Sequence, residues 1–211
     1  MFASALTKFR RGVLSSVGVF CLVGGLSACT TAPPAPEFQD PRFVDGGAIP
    51  VRAAHIDVTS TYQPTFAPPN VEHLFPISPE RVARQWVLDR LQPLRAGDVV
   101  GTFTITDARV TETKLAPKVT GVKGAFTNEP SERYDAFLTA TLVFSDPANG
   151  QSSEVETSAK YSMTVQEDAS LNERERVWYQ LVVKLGETFD KAMVANMQKY
   201  VPEYVDGQYT Q

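Results

Sequence analysis

The chain has 211 residues, with 20 Lys and Arg against 24 Asp and Glu, two histidines and two cysteines. At 43% hydrophobic and 10% aromatic it can bury one ordinary core. An acidic balance without a dense basic run argues against a nucleic-acid partner, because a phosphate backbone requires clustered Lys and Arg.

Lys8, Arg10 and Arg11 form a basic start, and Val13 to Leu26 is an uncharged apolar run. Leu26-Ser27-Ala28-Cys29 closes it. That order reads as a secretory leader over residues 1–28. An uncleaved membrane helix is the competing reading, but the run is short of the ~20 apolar residues a span requires. Small residues ahead of a cysteine resemble the lipobox of bacterial lipoproteins. The resemblance implies cleavage between Ala28 and Cys29, a thioether-linked diacylglyceryl group on Cys29, and an N-acyl chain (often palmitate) on the new amine. Thr30, where Asp would favour retention in the inner membrane, implies the periplasmic face of the outer membrane, with the periplasmic face of the inner membrane as the alternative. With the leader gone, 17 basic residues face 24 acidic ones and the formal charge becomes −7. Cys21 leaves with the leader and Cys29 carries lipid, so no thiol is left for a disulfide, a nucleophile or a metal site.

Residues 29–50 read as a lipidated tether, with Pro33, Pro34, Pro36, Pro41 and Pro50, Gly46-Gly47, and little to bury. Residues 51–211 then form a single periplasmic domain. Ile56 to Tyr62 alternates as a half-buried strand, and residues 63–77 cross irregularly through four prolines. Ser78-Pro79-Glu80 opens a helix whose apolar face carries Ala83, Trp86, Val87, Leu91 and Leu94, ending at Pro93 to Gly97. Val99 to Thr113 alternates, then changes parity, which predicts a bulge near Asp107. Tyr134 to Ser145 and Gln151 to Val165 alternate about Asp146-Pro147-Ala148-Asn149-Gly150, a hairpin with one dry and one wet face. Ser170 and Glu173 form a capping box for a helix reaching about Tyr200, with Trp178, Leu181, Val182, Leu185, Phe189 and Ala192 on one stripe.

The predicted order is β-α-β-β-β-α: an α+β fold, with an antiparallel sheet of about four strands and two helices on one face. In architecture and address this is broadly similar to the LptE-like and ABC-transport auxiliary lipoproteins of the envelope. No residue motif accompanies that similarity, so no functional residue follows from it.

The candidate sites are few. Glu154 and Glu156 share a strand face roughly 6.5–7 Å apart, near the separation in inverting glycosidases, yet alternate acids on a wet strand usually only solvate it. His55 and His73 stand without a second or third ligand or a nucleophile motif, so neither a metal nor a catalytic residue is expected. Arg90, one turn after Trp86, could stack on the indole, pair with a carboxylate of the sheet, or reach water. The last helix carries a second stripe, Tyr179, Val183, Gly186, Val194 and Met197, interrupted by Asp190. It is either a partner surface or is covered by the tether or the 63–77 crossing. Lys114 to Ser131, with Lys118, Lys123 and Phe126, is a long connection that is functional or idle. The expected role is a non-enzymatic accessory or scaffold of an envelope assembly, anchored in the membrane, with a protein partner and no cofactor beyond the acyl chains of Cys29. The alternative is a carrier or sensor of an apolar ligand held between sheet and helices by Phe103, Tyr134, Phe144 and Trp178.

Overall fold

The computed structural model describes residues 37–95, 97–116 and 129–206. The leader, Cys29 with its preceding Ala28, and Lys118, Lys123 and Phe126 lie outside the described residues.

Among the described residues, seven strands and two α-helices follow in the order β1 (Ile49–Val51), β2 (His55–Ser60), α1 (Pro79–Arg90), β3 (Leu91–Pro93), β4 (Val100–Asp107), β5 (Val110–Lys114), β6 (Pro130–Asp146), β7 (Gln151–Gln166) and α2 (Leu171–Tyr200). The α+β class stands. Strand β6 is the axis of a five-stranded sheet: β7 pairs along its whole length, and β4 and β5 share its other side, with β2 beyond β4. The predicted bulge is present as a register shift between Ile105 and Asp107. It divides the stretch read as one strand into β4 and β5.

Two pairings depart from the expected all-antiparallel sheet. Strands β2 and β4 run parallel, from His55 opposite Val100 to Ser60 opposite Ile105. Helix α1 lies between them in sequence and returns the chain to the end where it began, which forces the parallel sense. A separate two-stranded parallel ribbon joins β1 to β3. Helix α1 therefore ends at Arg90, and Leu91 belongs to a strand rather than to the helical face. Pro93 lacks an N–H and disfavours helical geometry at Gln92 before it, so the chain extends early.

Both helices have the caps their sequences indicate. Ser78 accepts from the Arg81 N–H at 3.3 Å, and Ser170 and Glu173 complete the capping box. The dry face of β6, from Tyr134 through Phe144 at every second residue, is fully buried beneath them. Trp86, Phe103 and Phe189 form one aromatic cluster, while Phe75 stacks on Trp178 at 4.8 Å and meets Tyr134 edge-on.

The tether reading requires correction over residues 37–50. Pro41, Phe43 and Ile49 are buried and β1 lies within this stretch, so the folded domain begins well before residue 51. The segment runs along α1 as a strap. Asp40 pairs with Arg81 near the start of that helix at 2.6 Å, and Arg42 pairs with Asp89 near its end at 2.8 Å. Proline keeps such a chain extended, and Phe38, Phe43 and Ile49 supply the apolar contacts.

Candidate functional site

Parallel strands place their C-terminal ends together, and in sheets with such crossovers the crevice beyond those ends is where ligands bind. Here β2 and β4 end at Ser60 and Asp107, and α1 begins at the same end. The crossing between β2 and α1 borders an open crevice of about 310 Å³ lined by Tyr62, Pro64, Phe66, Glu72, His73, Ser78, Glu80 and Ala108. That volume is at the small end for ligand sites.

Glu72 forms the back of this crevice. It is buried, accepting the Tyr62 hydroxyl at 2.7 Å on one oxygen and the Val110 N–H at 3.3 Å on the other. Burial, then the hydrogen bond to Glu72, raises the Tyr62 phenol well above its ordinary range, so it remains a neutral donor. Backbone bonds from Val71 to Val110 and from Glu112 to Pro69 join the crossing to β5. Phe66, at φ 53°, holds an exposed ring 5.4 Å from that of His73. Glu80 accepts from Arg84 at 2.8 Å. Aromatic walls with carboxylates at back and rim suit a small cationic or hydroxylated group. Because Glu72 is already engaged by two donors, the geometry supports binding more readily than proton transfer.

Arg90 fulfils one of its expected options, but with a different element. Asp190 Oδ1 on α2 accepts both the Trp86 indole N–H at 2.7 Å and Arg90 Nε at 2.8 Å. The buried guanidinium also donates to the Gly47 carbonyl, locking strap, α1 and α2 together. A Cβ at Gly46 would lie 2.4 Å from Arg90 Nη1, which explains glycine there. The charge that interrupts the second α2 stripe is thus the partner of the charge on α1.

That stripe is not an open partner surface. Phe38 packs on Tyr179 with ring centroids 5.1 Å apart, and Gly186 lies beneath Phe43 and Val82. Val194 and Met197 are buried, and Val183 is half-buried. At Tyr179 and Gly186 the cover is the tether, one of the two alternatives left open by the sequence, together with Val82 of α1. The apolar-ligand reading meets a similar obstacle, since Phe103, Tyr134 and Phe144 are wholly buried and Trp178 nearly so. Those rings pack on their neighbours and fill the space they were expected to line.

The remaining candidates do not converge. His55 is exposed, 3.5 Å from Asp57, and His73 stands at the crevice rim. Glu154 and Glu156 lie on the uncovered sheet face opposite Val143 and Thr141. Among the described residues no group of three or more His, Cys, Asp or Glu side chains could hold a metal, and no helix is long and apolar enough to cross a membrane. The crevice itself escaped the sequence reading. Its available signal was the length of the β2–α1 crossing, since long loops within compact domains are often functional.

Fold and site together define a small α+β domain with a strapped helical layer and an acidic, aromatic crevice. No protein-family model matches the sequence, and no curated protein matches it. Solved structures do align with it. Rare lipoprotein B of Shewanella oneidensis is similar at 9% identity, covering 69% of this chain and 97% of its own, with a TM-score of 0.37. A minor lipoprotein of Acinetobacter baumannii is similar at 12% identity, covering 77% and 99%, with a TM-score of 0.36. A DUF330 protein of Xanthomonas campestris is similar at 6% identity, covering 78% and 93%, with a TM-score of 0.31. No site residue is carried across from any of them.

Proposed function

We propose that this chain is a lipid-anchored, non-enzymatic accessory protein of the bacterial envelope, held through Cys29 on the periplasmic face of the outer membrane. The observation that carries the reading is Leu26-Ser27-Ala28-Cys29 directly after a basic start and an apolar run. The site chemistry agrees with it, because the buried acid of the crevice is occupied by internal donors. Two or more acyl chains hold a protein firmly where one holds it marginally, at ~0.8 kcal/mol per buried methylene. Separation of inner and outer membranes on a density gradient tests the assignment. The wild-type protein is expected in the outer-membrane fraction and the Cys29→Ser variant away from it. Equal distribution of the two would contradict the anchor.

A second reading, that the protein senses or carries a small ligand, is favoured by the crevice rather than by the interior. Phe66→Ala, at an exposed ring, should weaken binding of an amine-bearing probe without altering the unfolding midpoint. Identical binding by both forms would exclude the crevice.

A further inference from the structure

We infer that the end of the domain where α1 and α2 begin rests against the lipid surface, with Phe66, Leu74 and Leu171 as its contacts. The inference depends on the anchor proposed above. Exposure alone does not select this end. Phe66, Leu74 and Leu171 are exposed here, but Leu88 and Tyr200 are equally open toward the other end. The course of the chain decides between them. Helix α1 runs back from the ends of β2 and β4, and α2 starts directly after β7, which is antiparallel to β6 and so ends at the same side. The strap follows α1 from Arg81 toward Arg90, so the chain upstream of it leaves from the end where both helices start. Phe75 on Trp178 joins the crossing that carries Phe66 and Leu74 to the first turns of α2.

Lengths then separate the two ends. Phe38 contacts Tyr179, from which Leu171 is ~12 Å away along the helix and Tyr200 is ~32 Å away in the other direction. Nine residue steps separate Cys29 from Phe38, a number over which an extended proline-rich chain could reach ~28 Å. The near end is therefore within easy reach of the anchor, whereas contact through Tyr200 would need the linker fully extended, and contact through Leu88 or Tyr200 would need it to turn back against the direction in which the strap leaves. Among the described residues of this end, Arg81, Arg84, Arg133 and Arg174 are each paired with a carboxylate, of Asp40, Glu80, Asp135 and Glu132, and Glu167 and Asp168 precede α2. The contact is apolar and should persist at high salt.

The test uses the full lipidated protein in vesicles of phosphatidylethanolamine and phosphatidylglycerol that contain a headgroup-labelled quencher lipid. Because the processed chain keeps no other free thiol, single variants Phe66→Cys, Leu74→Cys, Leu171→Cys, Leu88→Cys and Tyr200→Cys can each carry one polarity-sensitive fluorophore. All five side chains are exposed, so none of the variants opens the core. The first three are expected to show at least about two-fold stronger quenching and a blue shift relative to Leu88→Cys and Tyr200→Cys, unchanged by salt. Vesicle-bound protein with equal or stronger quenching at Leu88 or Tyr200, or with none at the first three, overturns the orientation. Protein that fails to float with the vesicles overturns the anchor, and the orientation falls with it.

Discussion

Asp190 is the residue on which the helical layer depends most. One of its oxygens satisfies both an indole N–H and a buried guanidinium. Asp190→Ala would leave Arg90 charged, buried and short of its counter-ion, a change that costs about 3–5 kcal/mol. Asp190→Asn keeps an acceptor and should lose distinctly less, as urea unfolding of the two variants would show. Gly186 depends on its small size. A Cβ there would lie 2.8 Å from both Phe43 Cζ and Val82 Cγ1, so Gly186→Ala should cost about 1–3 kcal/mol through overpacking. Adding Phe43→Ala to that variant should recover part of the loss, and strict additivity in the double-mutant cycle would show that the two positions do not touch.

Among the elements, the strap has a pH dependence whose direction follows from Asp89. Burial alone would raise this carboxyl, but hydrogen bonds from Arg42, the Phe43 N–H and Gln85 hold it below the usual carboxylate range. The folded value is depressed, so the stabilisation is present above the unfolded value of ~3.9 and is lost as pH falls through the lower folded one. Proteolytic nicking between Phe38 and Gly47 should therefore increase below about pH 4. Asp89→Asn should flatten that increase, and an identical profile in the variant would remove Asp89 from the explanation. Tyr134 acts at the opposite extreme. Burial pushes its phenol up to about 12, so its contribution is complete below the unfolded value of ~10 and declines as pH rises toward 12.

What was legible at this scale had local causes. The β6–β7 hairpin was readable because alternation persists through Tyr134, Ala136, Leu138, Ala140, Leu142 and Phe144 and again beyond a strong turn. The bulge was visible as a parity change, and α2 by its capping box. Strands β1 and β3 were not legible, since three residues carry no periodicity and their pairing spans about forty positions of sequence. The second stripe of α2 was identified correctly as apolar. The tether was among its expected covers, and which of the alternatives holds is a tertiary fact that Phe38 on Tyr179 and Phe43 against Gly186 decide.

At the scale of the whole molecule, the strap changes where the domain starts and how far it can stand from its anchor. Removing residues 37–47 should destabilise the domain by at least ~3 kcal/mol, the lower end for truncating a buried Phe, as read from the urea midpoint of the soluble chain. An unchanged midpoint would restore a free tether. The crevice was hidden from sequence for the same reason as the strap: Tyr62, Glu72 and Val110 meet only once β5 and the β2–α1 crossing are in place. Anchor and orientation alike depend on the lipid at residue 29. Intact-mass spectrometry of the protein extracted from its native membrane tests it most directly. The expected product is a chain beginning at residue 29 with the added mass of a diacylglyceryl group and an amide-linked acyl chain; a free sulfhydryl at Cys29, or a chain still carrying Met1, would rule the anchor out.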